Sequence, residues 1–584
     1  MNMLPSLLVI SLFLPLFGVL WIGVVARNGK IAVRQSALVT TLVTAGIVGW
    51  VVFHYQPVPY GEAYPAFTAP WVSSLLKLQF AVGLDGLSVW LYGLSALLSV
   101  TAVLVSWEAI EDRPASFYSL LLLLESGMLG VFVARDIMLF YIFFEFTLIP
   151  LFFLIGVWGS EDRRYAALKF FIYTLAGSLL TFLGLLAIVL WDYNHPLTIE
   201  AEGIMNFSIP ELTENLRAHP IPFKLQLLIF IALFAGFAIK VPLFPLHTWL
   251  PLAHVQAPTA GSVILAGILL KIGTYGFVRF NLSMLPDATA ICAPWLLWLS
   301  AIGIIYGAFV ALAQTDVKRL IAYSSVSHLG YCMLGLFALN KLGMDGSVLQ
   351  MINHGLSTGG LFAIVGMIYE RYHTREIAKL GGLTKRTPLL AFFLVLFTMS
   401  SIGLPGLNGF AGEFLILSGM FQRAWLGAPA GYSVQFITIA ALAVFGVVLG
   451  AWYMLWLVER TFFGPLKEPT HGDDHHHVQD MNAREVLALA PLVVFMFWIG
   501  LHPGYFVEKM QSTIDPLAVS AGETFENLFP PERPTALTNA RGRVGEGKRG
   551  RLAANLSIES PTLPLSPSPT PRLSPPANLA EHDN

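Results

Sequence analysis

Apolar stretches of about twenty residues recur along the whole chain, and no other feature restricts its possible folds so severely. A helix needs roughly 20 residues to cross about 30 Å of hydrocarbon. Segments of that kind occur near residues 4–25, 31–53, 86–107, 117–134, 137–158, 165–191, 225–252, 256–280, 294–313, 320–340, 347–370, 388–421, 434–459 and 484–502. Backbone polar groups in lipid must be satisfied internally, and these stretches are too long and too uniformly apolar for barrel strands. The pattern therefore predicts an all-α polytopic membrane protein of about 14 transmembrane helices. Composition agrees, since 55% of the 584 residues are hydrophobic and only 12% are charged, against roughly a quarter charged in soluble domains. The 34 basic and 36 acidic residues nearly cancel, which removes the long-range field that nucleic-acid binding requires. The first stretch has no basic n-region and no small-residue cleavage site, so it reads as a retained helix. The two cysteines, Cys292 and Cys332, each lie in an apolar segment and offer no framework for an iron–sulfur cluster, a zinc site or a disulfide scaffold.

The loops alternate in charge. With the N-terminus placed outside, the inner loops carry Arg27, Lys30, Arg34, Arg113, Arg163, Arg164, Lys318, Arg319, Arg371 and Arg375 among others, while the outer loops carry few basic residues. This positive-inside pattern predicts a multi-pass protein of a bacterial-type inner membrane with both termini on the periplasmic side. Two segments are too long and are interrupted by proline and glycine. The seventh contains Lys240-Val241-Pro242-Leu243-Phe244-Pro245, and the twelfth contains Gly403-Leu404-Pro405-Gly406-Leu407-Asn408-Gly409. Proline removes a backbone donor, and glycine tolerates the angles that reconnect two half-helices. Helices 4–8 and 9–13 each place the interrupted helix fourth and begin on opposite sides, the arrangement of two inverted five-helix repeats with ion sites at the breaks. Simple proline kinks are the alternative. The expected organisation is residues 1–116 as helices 1–3, 117–280 and 281–460 as the two repeats, 461–511 as a loop and helix 14, and 512–584 as a Pro/Ser-rich tail, mainly disordered.

Ionisable residues inside these segments are expensive and point to function. They are Glu125, Glu145, Lys240, Lys271 and Glu413, joined by His247, His328 and His354. Burial disfavours the charged form of either a carboxylate or an ammonium, whereas pairing keeps both charged, so a buried Glu–Lys pair can switch a proton on and off. Glu145 with Lys240 is the expected pair, Lys271 and the histidines the relay, and Glu413 the terminal group on the outer half. Glu125 and His247 are weaker candidates, one open to local pairing near the bundle wall and the other to an interfacial role. A structural ion pair that fixes helix packing is the competing reading for Glu145 and Lys240.

These residues stand in strings that resemble the antiporter-like membrane subunits of respiratory complex I, the proton-translocating NADH:quinone oxidoreductase. The strings are Tyr141-Ile142-Phe143-Phe144-Glu145-Phe146-Thr147-Leu148-Ile149-Pro150, the run Lys240 to Pro251, the run Gln314 to His328, and Asn408-Gly409-Phe410-Ala411-Gly412-Glu413-Phe414. The resemblance implies fourteen helices with two inverted repeats and a hydrophilic axis of Glu145, Lys240, Lys271, His328, His354 and Glu413. Sister subunits tend to carry lysine at the last position, so Glu413 puts the chain with the glutamate-bearing branch. The resemblance also implies partner membrane and peripheral subunits, including sister antiporter-like subunits. Those partners are expected to hold FMN, iron–sulfur clusters and quinone, with no cofactor or metal in this chain. Leu252 and Gln256 stand where the family usually has acids, which weakens a proton-gathering role for that loop.

The run Asp473-Asp474-His475-His476-His477 reads as a solvated loop with adventitious metal affinity at most, and Gly381-Gly382 lacks a dinucleotide-binding context. A subunit of a multi-subunit Na⁺/H⁺ antiporter, or of a hydrogenase- or ferredoxin-driven pump, is the alternative within the translocase class. A membrane scaffold without transport is the alternative outside it.

Overall fold

The computed structural model describes residues 3–72, 76–197, 203–429, 431–469 and 478–530. The Asp473 to His477 run and the proline-rich stretch beyond residue 530 lie outside the described residues. Among the described residues, twelve helices are long and apolar enough to cross a membrane, and Val89–Val105 and Pro388–Ser401 are shorter apolar helices. The chain is a polytopic, helical, multi-pass membrane protein.

Local chemistry marks the helix ends. Asp136 accepts from the backbone N–H groups of Met138 and Leu139, Asp316 from Arg319 and Asn340 from Gly343, each satisfying donors that the first helical turn leaves free. Asn482 and Glu485 form a reciprocal capping box at Ala483–Leu501. Proline occupies the first turn of Pro114–Val133, Pro286–Leu312, Pro388–Ser401 and Pro503–Leu528, where its missing N–H costs nothing.

Burial sorts the helices into a centre and a rim. Thr259–Leu282 and Lys341–Tyr372 are buried throughout their apolar stretch and Val317–Phe337 almost so, whereas Leu4–Asn28, Lys30–Phe53 and Ala483–Leu501 bury about a third of theirs. The rim helices expose large apolar side chains such as Trp21, Trp50 and Phe497, as expected where the surrounding solvent is hydrocarbon. Lys271, His328 and His354 belong to the three central helices, which place these three ionisable residues away from the rim.

The expected span at 225–252 is two helices, Phe223–Lys240 and Trp249–Gln256, and that at 388–421 is likewise two, Pro388–Ser401 and Asn408–Leu426. Three departures from the sequence expectations stand out. The expected irregular tail begins too early at 512, because Pro503–Leu528 forms one helix whose apolar face buries Phe506, Met510, Ile514 and Leu517. Its apolar residues recur at helical spacing among polar ones, too sparsely for a span. A short helix also occupies Ile209–Ala218. Finally, segments between the helices form a small sheet in the order β1-β2-β3, in which β1 (Ala66–Val72) pairs antiparallel with β2 (Leu76–Gly83) and β2 parallel with β3 (Met205–Asn206). The alternation in Leu76-Lys77-Leu78-Gln79-Phe80 was its signal in the sequence.

Candidate functional site: a buried polar axis

Close helix packing brings the central residues together. An added Cβ at Gly355 would lie 2.7 Å from the carbonyl oxygen of Gly267 and 2.5 Å from Leu94, so Thr259–Leu282 and Lys341–Tyr372 touch backbone to backbone. Small residues permit such approach where apolar side chains would hold helices apart. The contact lies one residue from His354 and one helical turn from Lys271. As a result Lys271 Nζ stands 2.6 Å from His354 Nδ1 and also donates to the carbonyl of Ala266. That carbonyl falls within a π-helical turn over Leu265–Leu269, a widening that often marks functional sites.

Beyond His354 the polar chain continues. The His354 and His328 rings are 5.9 Å apart between centroids. His328 Nδ1 lies 3.4 Å from Glu413 Oε1, and His328 Nε2 lies 3.3 Å from both the Tyr453 hydroxyl and the Ser401 hydroxyl. Gln350 donates to Glu413 Oε1 at 3.2 Å, and Asn353 donates to Gln350 and to the carbonyl of Asn408. Asn408 in turn donates to the Asn353 carbonyl and accepts from Ser400. These bonds tie the start of Asn408–Leu426, just past the interruption, to the middle of Lys341–Tyr372. Gly403 turns within the interruption with φ +72°, and a Cβ on it would stand 2.8 Å from Glu413 Oε2. The interruption therefore lays backbone directly against the carboxylate. His328, Glu413, Ser401 and Tyr453 border a void of about 10 Å³, close to the room one water needs.

At the other end the geometry is looser. Lys240 closes Phe223–Lys240, its Nζ 4.7 Å from the centre of the Phe144 ring, and it borders a second void of about 10 Å³ with Thr147 and Trp249. Trp249 donates to the Ile239 carbonyl at 2.9 Å, satisfying one group freed by the interruption. Glu145 is half-buried, one carboxylate oxygen has no hydrogen-bond partner, and the pair expected with Lys240 is not within 4.0 Å. Phe144 occupies the space beside the ammonium.

The weaker candidates separate. Glu125 is completely buried in Pro114–Val133 with neither oxygen hydrogen-bonded among the described residues, so the alternative of local pairing at the bundle wall is not what the structure has. His247 is buried beside Phe244 and Tyr306. His254, which does not stand out in the sequence, is fully buried with both ring nitrogens unpartnered among the described residues and is stacked on Phe362 with ring centroids 4.5 Å apart. Lys318, expected in an inner loop, is buried and donates to the Ala257 carbonyl at 2.6 Å. The signal for both was proximity to Pro251 and to the Asp316-Val317-Lys318-Arg319 run.

A multi-pass membrane protein with a buried line of lysine, histidine and glutamate running between its helices belongs to the class of membrane ion and proton carriers. The family described as NADH:quinone oxidoreductase/Mrp antiporter, TM, matches residues 134–438, and the chain belongs to that family. It is 41% identical to NADH-quinone oxidoreductase subunit M of Rhodobacter capsulatus over 88% of this chain and 96% of that one. It is 42% identical to NADH-ubiquinone oxidoreductase chain 4 of Arabidopsis thaliana over 76% of this chain and 83% of that one. Among solved structures, a chain of respiratory complex I from Thermus thermophilus with bound NADH superposes with a TM-score of 0.75 at 31% identity, covering 89% of this chain and 99% of that one.

Proposed function

We propose that this chain is the subunit M-type proton-translocating membrane subunit of an NADH:quinone oxidoreductase, with electron transfer and its cofactors in partner subunits. In this reading the membrane region has fourteen spans, counting each interrupted pair as one helix. The spans form inverted five-helix repeats over 117–280 and 281–460, and both termini are periplasmic. The observation that carries the proposal is the line Lys271, His354, His328, Glu413, whose members are in contact or one water apart. Protons move from the Lys271 ammonium to His354, across to His328, and on to Glu413, while Glu145 and Lys240 control whether Lys271 is charged. Moving one proton against about 100 mV requires about 2.3 kcal/mol, which the partners' redox reaction supplies.

Glu145 acts on Lys240 through space in this scheme. A carboxylate held apart can swing toward the ammonium and keep it protonated, or swing away and release the proton. Reconstituted complex carrying Lys240→Ala or Glu145→Ala should lose most coupled proton pumping while still assembling. Full pumping with either change would sink these roles.

A further inference from the structure

A proton on Lys271 has two possible exits, and they are built differently. One is Glu413. The other is the Leu282 end of the Thr259–Leu282 helix, where Arg279 sits eight residues, or about 12 Å along the helix, beyond Lys271. A cavity of about 380 Å³ reaches Val278, Arg279 and Ser283 there. Water filling it would stand about 12 Å from Lys271 along the helix, and a proton that crossed that gap would be lost before it reached Glu413.

What stands between is a buried charge cluster. Asp85 receives Arg279 at 2.6 Å and Arg135 at 2.9 Å, and all three are buried. Two guanidiniums facing one carboxylate leave a net charge of +1. Burial opposes the charge on Asp85, but Arg279 and Arg135 outweigh it and hold the carboxyl down at about 2, so the cluster keeps that charge at physiological pH. Arg135 also donates to the backbone carbonyls of Gly61 and Glu62. The other charged groups bordering the cavity, Glu62, Glu214 and Arg217, are exposed and water-screened. Inward of the cluster, Arg279 donates to the Tyr275 hydroxyl at 3.1 Å, and Tyr275 packs against Phe132 and Phe140, which also touches Phe280. A proton leaving Lys271 in this direction meets an aromatic collar and then a fixed positive charge.

We propose that the Asp85–Arg135–Arg279 cluster is an electrostatic plug that closes the first half of the protein to protons and so directs them from Lys271 toward Glu413. The proposal rests on the translocation reading above. A proton moving from about 12 Å to about 6 Å from this fixed charge, at an effective dielectric of about 20, climbs by an amount equal to about a tenfold change in rate.

The test is passive proton leak through intact complex in proteoliposomes, with the redox reaction stopped by omitting NADH and an acid-jump gradient read by an entrapped pH dye. Arg279→Gln should raise the leak about tenfold, and Arg279→Lys should leave the vesicles tight. Asp85→Asn breaks the same ion pairs but makes the cluster more positive, so it should also stay tight. Adding Lys271→Met to Arg279→Gln should abolish the leak. Assembled Arg279→Gln complex as tight as the parent would overturn the plug. So would equal leak from Asp85→Asn, which reports loosened packing, or a leak that survives Lys271→Met, which runs elsewhere. Because the leak is read without turnover, these outcomes are independent of whether Lys240→Ala abolishes driven pumping.

Discussion

Lys271 Nζ lies 2.6 Å from His354 Nδ1, although 83 residues separate them in the chain. Both are buried, on the two helices most completely removed from lipid. Only one of them can carry a proton comfortably, because two cations at that distance repel strongly where water does not screen them. In the proposed scheme the contact is where the positive charge passes from one residue to the other.

That relationship demands a group that can release its proton. Lys271→Met should reduce coupled pumping by at least about tenfold, and Lys271→Arg should fail to restore it, since a guanidinium stays protonated in proteins. Pumping would be read as dye quenching in proteoliposomes, normalised to NADH oxidation. Wild-type coupling in Lys271→Arg would exclude deprotonation at this position.

The Gly267 and Gly355 contact is the mechanical basis of the same pair. Gly355→Val has no room against the Gly267 carbonyl and Leu94, and overpacking of this kind typically costs about 1–3 kcal/mol. We expect a lower unfolding temperature of the solubilised complex together with a loss of coupling. Gly23→Ala, placed where an added methyl meets nothing within 4 Å, serves as the control.

Glu413 combines burial with His328 and Gln350 as partners and the Gly403 turn against its second oxygen. Glu413→Gln keeps the shape and removes the titratable charge, so assembly should be normal and pumping reduced. Glu413→Asp should retain part of the activity. If the Gln variant pumped at parental efficiency across pH 6–8, titration at this residue would be unnecessary for transport.

Asp85 gives an acid-stability prediction. Its folded value of about 2 lies below the ordinary 3.8, so its ionised form is the one folding favours. That stabilisation is fully present above about pH 4 and is lost as the pH falls through about 2. Asp85→Asn leaves two buried guanidiniums without their carboxylate, which costs about 3 kcal/mol or more. The variant should unfold at lower temperature at pH 7, and the difference from the parent should shrink on acidification from pH 4 toward pH 2. A difference that stayed constant over that range would contradict the ion-pair account.

The sequence by itself determined the solvent, the secondary structure of the membrane region and the residues of interest. Twenty-residue apolar runs admit only helices in lipid, Pro242 and Pro405 lie in the two interruptions, and Lys271, His328, His354 and Glu413 stand out because charge within such runs is costly. Those signals are local in the chain. Which charges meet was decided only in three dimensions. The backbone contact of Gly267 with Gly355 joins Lys271 to His354, while Phe144 fills the space beside Lys240 and Glu145 stays out of ion-pair reach. The burial of His254 and Lys318, and the cluster that Asp85 forms with Arg135 and Arg279, depend likewise on helices remote in sequence packing side by side. Hydropathy reports how far a residue is from water along its own helix, and carries no information about which neighbouring helix its side chain will face.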